Sequence, residues 1–255
     1  MEQPFFSYPL KENRAYYIDP DDNLRHCPNC KEAVEMVLQF NDQTNIVPRM
    51  CKCDQKADAE KQERERMKRV DELRTKCLPA KARAHRFSTA EKNPALEKAR
   101  AYVENWNALK ADGRGLLIYG PVGTGKSFLA DCIANALIEQ ETPVLRVKST
   151  DISYYLDGRN SSFLDNIKRT PLLIIDDLGA ERQTSFASEK VFQVIDCRYE
   201  SGGPMIVTTN FTRKDMENPP VSNESRDFYL RAFSRLREVC ELFLVNGSDR
   251  RSIQR

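Results

Sequence analysis

Apolar residues gather in short runs through the second half of the chain, and between the runs they return every three or four positions. LLIYG (116–120), PVLRV (143–147), LLIID (172–176), MIVTT (205–209) and ELFLV (241–245) are five such runs, short and branched enough to be strands buried in a sheet. Between the first two, SFLADCIANALIEQ places Phe128, Leu129, Cys132, Ile133, Ala136 and Leu137 at one-turn intervals, which predicts a helix. Strand and helix in alternation predict an α/β domain: a five-stranded, mostly parallel sheet with helices on both faces. Ahead of it, DQKADAEKQERERMKRVDELRTK (54–76) has no Gly or Pro and mixes both signs of charge. It predicts a long exposed helix supported by i,i+4 pairs. Met67, Val70 and Leu73 give this helix only a narrow apolar stripe, so it reads as a solvated connector in preference to a docking helix. The resulting division is an aromatic, cysteine-bearing module over 1–53, a charged helical linker over 54–78 and the α/β domain over 79–255.

Charge changes this picture little. Lys and Arg number 40 against 38 Asp and Glu, a net charge of +2 over 255 residues, so a basic surface for nucleic acid has to be local. The opening MEQPFFSYPLKENR lacks the basic and apolar regions of a signal peptide, and no apolar run approaches the roughly 18 residues of a membrane span. The expectation is a soluble, cytoplasmic protein without a membrane partner.

The first strand runs into GPVGTGKS, which satisfies the G-x-x-x-x-G-K-[ST] phosphate-loop pattern with the strand before and the helix after that the pattern requires. The loop Gly120, Pro121, Val122, Gly123, Thr124 and Gly125 would hold the phosphates, with Gly120, Gly123 and Gly125 letting the backbone curl so that its N–H groups face them, Lys126 would reach the outer phosphates, and Ser127 would ligate Mg²⁺. The acids ending the third strand then acquire a purpose. Asp176 is placed to complete the Mg²⁺ shell, and Asp177 to orient or deprotonate an attacking water. The plainer reading, that they cap the turn at Leu178 and Gly179, needs one acid and not two. ATP hydrolysis is the expected activity.

Cys27, Cys30, Cys51 and Cys53 form two knuckles, CPNC and CKC, matching a closed tetrahedral Zn²⁺ site that would fold a small module lacking a core. His26 could replace one ligand, because C-x-C is a less usual knuckle than C-x-x-C. Phe5, Phe6, Tyr8, Tyr16 and Tyr17 around the site are either its modest core or anchors for a partner. Cys77, Cys132, Cys197 and Cys240 lie scattered in predicted elements and read as small buried hydrophobes.

GPVGTGKS, LLIIDDLGAE, MIVTTN and YLRAFSRLRE, in that order, resemble the AAA+ ATPases of the replicative helicase loader group, the DnaC/DnaI type, over about residues 79–255. The resemblance implies a P-loop AAA+ ATPase core preceded by a zinc-ribbon-like module and a charged linker helix. It implies that Asn210 is the sensor after the fourth core strand and that Arg235 is an arginine finger acting on a neighbouring subunit's nucleotide, so that the ATP sites join a homo-oligomer. Arg231 and Arg237 are secondary candidates, against the alternative that these arginines pair with Glu238 or Glu241. Arg250, or Arg251 beside it, matches the second sensor. The family's second acidic motif often reads Asp-Glu; the shorter Asp-Asp here implies slow, switch-like hydrolysis. The implied partners are a DnaB-type hexameric helicase, bound through the cysteine module, and single-stranded DNA. For DNA the segment 148–170 is in position, with Lys148, Ser149, Thr150, Tyr154 and Tyr155 able to meet phosphates and bases unless the tyrosines pack inward. A transposase-accessory ATPase of the IstB type shares the core motifs, although such proteins generally lack the cysteine knuckles. A DnaA-like initiator is disfavoured, because few residues follow the last predicted strand.

Overall fold

A computed structural model describes residues 10, 14–40, 43–91, 93–156, 161–182 and 184–247. Phe5, Phe6, Tyr8, Arg250 and Arg251 lie outside the described residues. The chain divides into two compact units, residues 1–68 and 69–255.

In the first unit, β1 (Tyr17–Ile18) pairs with β2 (Arg25–His26), and β3 (Glu35–Phe40) forms an antiparallel hairpin with β4 (Gln43–Pro48). Its buried cluster is small: Cys27, Val34 and Cys51, with Leu10, Tyr16, Cys30 and Cys53 packed against it. Among the described residues, a cluster of this size does not hold a fold by hydrophobic burial alone. Of the aromatics read from sequence, Tyr16 joins that core, whereas Tyr17 is exposed.

Helix α1 (Lys52–Cys77) carries residues of both units. The pair Lys61–Glu65 has the expected i,i+4 spacing, while Arg66–Glu63 and Arg74–Asp71 are i,i+3. The expectation of a solvated connector fails for its last third. Val70 is buried with Leu73 packed beside it, Arg69 pairs with Glu141 at 2.7 Å, and Arg74 reaches Asn135 and Glu139, both at 3.2 Å. Two apolar residues suffice there because the long arginine side chains supply the remaining contacts.

The second unit follows with α2 (Pro94–Glu104), α3 (Trp106–Ala111), β5 (Gly115–Tyr119), α4 (Lys126–Glu139), β6 (Val144–Lys148), α5 (Ser149–Tyr155) and α6 (Ser161–Arg169). It continues through β7 (Leu172–Leu178), α7 (Ser185–Glu200), β8 (Met205–Thr209), α8 (Arg213–Glu217), α9 (Asn223–Val239) and β9 (Cys240–Leu244). The five strands pair in the order β6-β7-β8-β5-β9, every pair parallel. Alternate residues feed two cores: Leu116, Ile118, Ile174 and Ile206 face α2 and α4, while Leu117, Leu173, Ile175 and Val207 face α7 and α9. This is the two-sided burial the unbroken apolar runs called for.

One polar residue is central to the second core. Arg198 on α7 is 1% exposed. Its guanidinium donates to the carbonyls of Ile167 (2.8 Å), Lys168 (3.3 Å), Pro171 (3.0 Å) and Pro204 (2.9 Å). It thereby ties the end of α6 to the turns entering β7 and β8. Burial lowers its pKa to about 10, which still leaves it charged at neutral pH. Replacing it with Leu strands those carbonyls, so R198L is expected to lower the unfolding free energy by about 3 kcal/mol; urea unfolding followed by circular dichroism measures it.

Candidate active site and metal centre

The phosphate loop sits at the carboxyl end of β5, where ligands of open parallel sheets are bound. Gly120, Gly123 and Gly125 all have positive φ, at 142°, 81° and 96°. The need is sharpest at Gly120, where a Cβ would stand 2.2 Å from the Val245 carbonyl oxygen. Lys126 and Ser127 open α4, whose first N–H groups and positive dipole end face the loop. The Lys126 ammonium is buried and donates to the carbonyls of Gly120 (2.9 Å) and Pro121 (2.7 Å), and the Thr124 hydroxyl donates to Pro121 at 2.9 Å. Beside the loop lies a cleft of about 260 Å³ lined by Asn93, Pro94, Gly125, Phe128, Val245 and Asn246 among others. Motif reading missed this cleft because its walls come from α2, α4 and the chain after β9, which only the fold assembles.

At the end of β7 the ladder is irregular. Ile175 pairs with Val207 but Leu178 with Thr209, so Asp176 and Asp177 together oppose the single residue Thr208. This is a β-bulge, and it breaks the alternation that would otherwise send adjacent side chains to opposite faces. Asp177 takes φ 62°, a left-handed conformation that Asp tolerates better than most residues. Thr208 manages both acids: its hydroxyl donates to Asp176 Oδ1 at 2.7 Å and accepts the Asp177 N–H at 2.9 Å. The other Asp176 oxygen accepts from Arg146 at 2.7 Å. Asn210 directly follows β8 and is exposed, one residue beyond Thr209, whose hydroxyl donates to the Leu178 carbonyl at 2.8 Å. The loop after the acids is fixed by buried Glu181, which accepts from Gly179 N–H at 3.0 Å and from the Tyr229 hydroxyl. Asp176 carries a carboxylate and Ser127, at the start of α4, a hydroxyl, oxygen donors of the kind Mg²⁺ takes.

The residues assigned beyond this core lie as follows. Arg235 on α9 is half-buried. It makes a short ion pair with Asp196 of α7, and its guanidinium lies 4.9 Å from the Phe192 ring centre and 5.6 Å from that of Tyr199. The pairing expected with Glu238 or Glu241 is not the one formed: Glu238 accepts from the Tyr199 hydroxyl at 2.9 Å, and Glu241 pairs with Lys98 at 2.6 Å. Arg231 and Arg237 are exposed. In the segment after β6, the expectation that Ser149 meets phosphate is corrected, for it is fully buried and donates to the Asp177 carbonyl at 2.6 Å. Tyr155 stacks on Phe163 with centroids 4.9 Å apart, whereas Tyr154 is 82% exposed and Lys148 and Thr150 are exposed.

In the first unit, the sulfurs of Cys27, Cys30, Cys51 and Cys53 all lie within 4.8 Å of one another, and all are free thiols. A tetrahedral ion with Zn–S bonds of about 2.3 Å wants sulfurs about 3.8 Å apart, so the cluster fits. The first knuckle closes through the Lys31 N–H to the Cys27 carbonyl at 2.8 Å, with Lys31 at φ 57°. The second knuckle is the start of α1, where the N–H groups of Asp54 and Gln55 donate to the Cys51 carbonyl. The Glu32 amide draws the Cys30 thiol down to about 6, while burial pushes that of Cys51 up to about 12. A bound cation would deprotonate all four. His26 is not a substitute ligand, since its Nδ1 faces the Lys31 carbonyl and its Nε2 the Asp22 carboxylate, both at 2.9 Å. Those two acceptors raise its pKa, the carbonyl most.

A phosphate loop at the carboxyl end of a five-stranded parallel sheet, with paired acids two strands away, defines an ATP-binding and hydrolysing enzyme of the AAA+ type. The chain belongs to the family of IstB-like ATP-binding proteins, whose profile matches residues 30–219. Within it, the likeness is to the DnaC/DnaI type. The chain is similar to the replicative helicase loader DnaI of Bacillus subtilis (strain 168), 26% identical over 220 residues, covering 84% of this chain and 69% of DnaI. The replicative helicase loader DnaC of Escherichia coli (strain K12) is 31% identical over 129 residues, covering 48% of this chain and 51% of DnaC. A putative insertion sequence ATP-binding protein of Sinorhizobium fredii (strain NBRC 101917 / NGR234) is 32% identical over 119 residues, 44% of this chain and 40% of that protein. Among solved structures, the crystal structure of the DnaC helicase loader superposes with a TM-score of 0.55 at 25% identity, covering 66% of this chain and 100% of that one. Among the described residues no helix is long and apolar enough to cross a membrane.

The cysteine cluster makes a direct prediction. Purified protein should carry one equivalent of zinc by elemental analysis, and C51S should lose nearly all of it, because three thiolates hold structural zinc far less well than four.

Proposed function

We propose that this protein is an ATP-controlled loader of a hexameric, DnaB-type replicative helicase, with the zinc-bearing first unit docking the helicase and the ATPase core holding single-stranded DNA. The observation that carries this reading is the extent of the DnaI match: at 84% of the chain it exceeds what the ATPase core alone can supply and so reaches into the cysteine-bearing region. The match to the insertion-sequence protein, at 44%, is short enough to lie within the core. The IstB-like profile also spans Cys30, Cys51 and Cys53, so the loader reading rests on the length of the DnaI match taken with the superposition on the DnaC loader.

In this reading the loop amides and Lys126 hold the β- and γ-phosphates, with the Lys126 ammonium exchanging its Gly120 and Pro121 carbonyls for phosphate oxygens. Ser127 and Asp176 would hold Mg²⁺, which would supply neutralising positive charge at the phosphates. Asp177 orients and deprotonates the attacking water, and Asn210 donates to that water or to the terminal phosphate. Asp177 reaches less far than a glutamate, so turnover is slow and suits a switch. The cleft beside Phe128 takes the base. Arg235 serves the nucleotide of a neighbouring copy, which makes hydrolysis depend on oligomerisation. Arg250 is the second sensor. The exposed Lys148, Thr150 and Tyr154 are the DNA-facing residues of the 148–170 segment.

Two measurements test this. K126A and D176N are each expected to lower ATPase turnover at least a hundred-fold, the loss typical when a phosphate-stabilising group is removed; turnover at the parent rate sinks the nucleotide site. Full-length protein is expected to retain a DnaB-type helicase in pull-downs, and C27S/C51S is expected to lose it while keeping ATPase activity. Retention by C27S/C51S overturns the assignment of docking to the first unit, and capture of a transposase with no helicase binding moves the protein to the accessory class.

A further inference from the structure

Buried between α4 and the sheet is a chain of charges that the phosphate-loop motifs do not mention. Arg146, on β6, reaches across with two arms: Nε donates to Asp131 Oδ1 of α4 at 2.6 Å and Nη2 to Asp176 Oδ2 of β7 at 2.7 Å. The three side chains are 7%, 3% and 5% exposed. Asp131 is held from its other oxygen by His85 Nδ1 at 2.9 Å, and the His85 ring in turn packs on Phe128 with centroids 4.9 Å apart. Burial still pushes the Asp131 carboxyl upward, a measure of what these charges cost in that place. Buried ion pairs seldom stabilise a fold more than apolar residues of the same size would. Their value lies in geometry, and here the geometry is specific: the guanidinium links the helix that begins with Lys126 and Ser127 to the strand that ends with Asp176.

We propose that Arg146 is a positioning residue for the metal-nucleotide site. With Thr208 on one oxygen and Arg146 on the other, the Asp176 carboxylate cannot rotate, yet each oxygen keeps a lone pair for the metal or its water shell. The planar fork, anchored on Asp131, fixes β7 against α4 and so sets the separation of Asp176 from Ser127. A lysine cannot do this, because one ammonium lacks the rigid two-armed geometry. The inference rests on the nucleotide site described above and adds to it the group that sets the metal ligand in place.

The test compares R146Q with D131N, reading the fluorescence of a labelled ADP bound to the full chain as Mg²⁺ is titrated, and in EDTA without Mg²⁺. R146Q frees both carboxylates, whereas D131N removes the charge of the anchor, leaves an amide oxygen that can still accept from Arg146 Nε, and keeps Asp176 held. For R146Q the Mg²⁺ concentration giving half the metal-dependent tightening is expected to rise about ten-fold, the loss typical when a partner of a metal ligand is removed, with affinity in EDTA unchanged. For D131N, which weakens the anchor but leaves Arg146 bonded to Asp176, a clearly smaller rise is expected. R146K is expected to behave as R146Q, and carries the test if R146Q does not fold. A Mg²⁺ titration of R146Q that overlays the parent, or a D131N shift as large as that of R146Q, overturns the proposal. A parent protein whose nucleotide affinity ignores both Mg²⁺ and K126A overturns instead the nucleotide site on which it rests.

Discussion

Two adjacent carboxylates at the end of a strand buried on both faces are the constraint around which the second unit is arranged. Placed there without partners, they would repel each other and lose hydration worth several kcal/mol per charge. The structure meets this cost with particular groups. The bulge at Asp176 and Asp177 lets both face the single position Thr208, whose hydroxyl satisfies one carboxylate and the backbone of the other. Arg146 neutralises the first acid, while the second, half-buried, stays nearer water. Ser149 holds the Asp177 carbonyl, so even the backbone strain at that residue is braced from α5. A single strand end therefore draws side chains from β6, β8 and α5.

The sequence announces elements with a regular period or a fixed local pattern. All five strands of the sheet fall within two residues of the runs that predicted them, and the phosphate loop stands where GPVGTGKS placed it, because both follow from contiguous residues. The four cysteines converge as their spacing required. The bulge is another matter. Nothing in LLIIDDL says which residue loses its partner, since that is settled by pairing with a strand about thirty positions away. Arg146 did leave a trace, a lone arginine inside an otherwise apolar run, and a charge there has to meet an opposite one. Its partners, from α4 and β7, could not be named without the fold. Val70 and Leu73 likewise looked too sparse to dock a helix, because the arginines that complete the contact count as polar in any pattern.

The two units rest on different physics. The second buries two extended apolar layers and has Arg198 to pin its turns, so its stability is that of an ordinary α/β domain. Among the described residues of the first unit the buried cluster is three residues, two of them cysteines. The polar groups there do not replace a cation: Arg14 donates to both oxygens of Asp54 at 2.9 Å and lies 3.8 Å from the Cys51 sulfur, but Asp54 itself accepts from that sulfur at 3.3 Å, so the pair brings no net charge to the thiols. Four thiolates in so small a volume are tolerable only with a cation among them, and the binding free energy of that cation becomes folding free energy.

The finger role proposed for Arg235 requires that its contacts within the chain be weak enough to give up. Its side chain and that of Asp196 are 28% and 35% exposed, and ion pairs at that depth contribute only about 0.2–1 kcal/mol. The contacts with the Phe192 and Tyr199 rings add about 0.5–1 kcal/mol each at such exposure. Leaving Asp196 and both rings therefore costs on the order of 1–3 kcal/mol. A guanidinium facing a terminal phosphate in a closed subunit interface makes charge-assisted, two-armed bonds that water no longer weakens. In the proposed role, the balance would favour the phosphate once a second copy excluded solvent and would favour Asp196 otherwise, so the contact with α7 would hold the cation on a lone subunit.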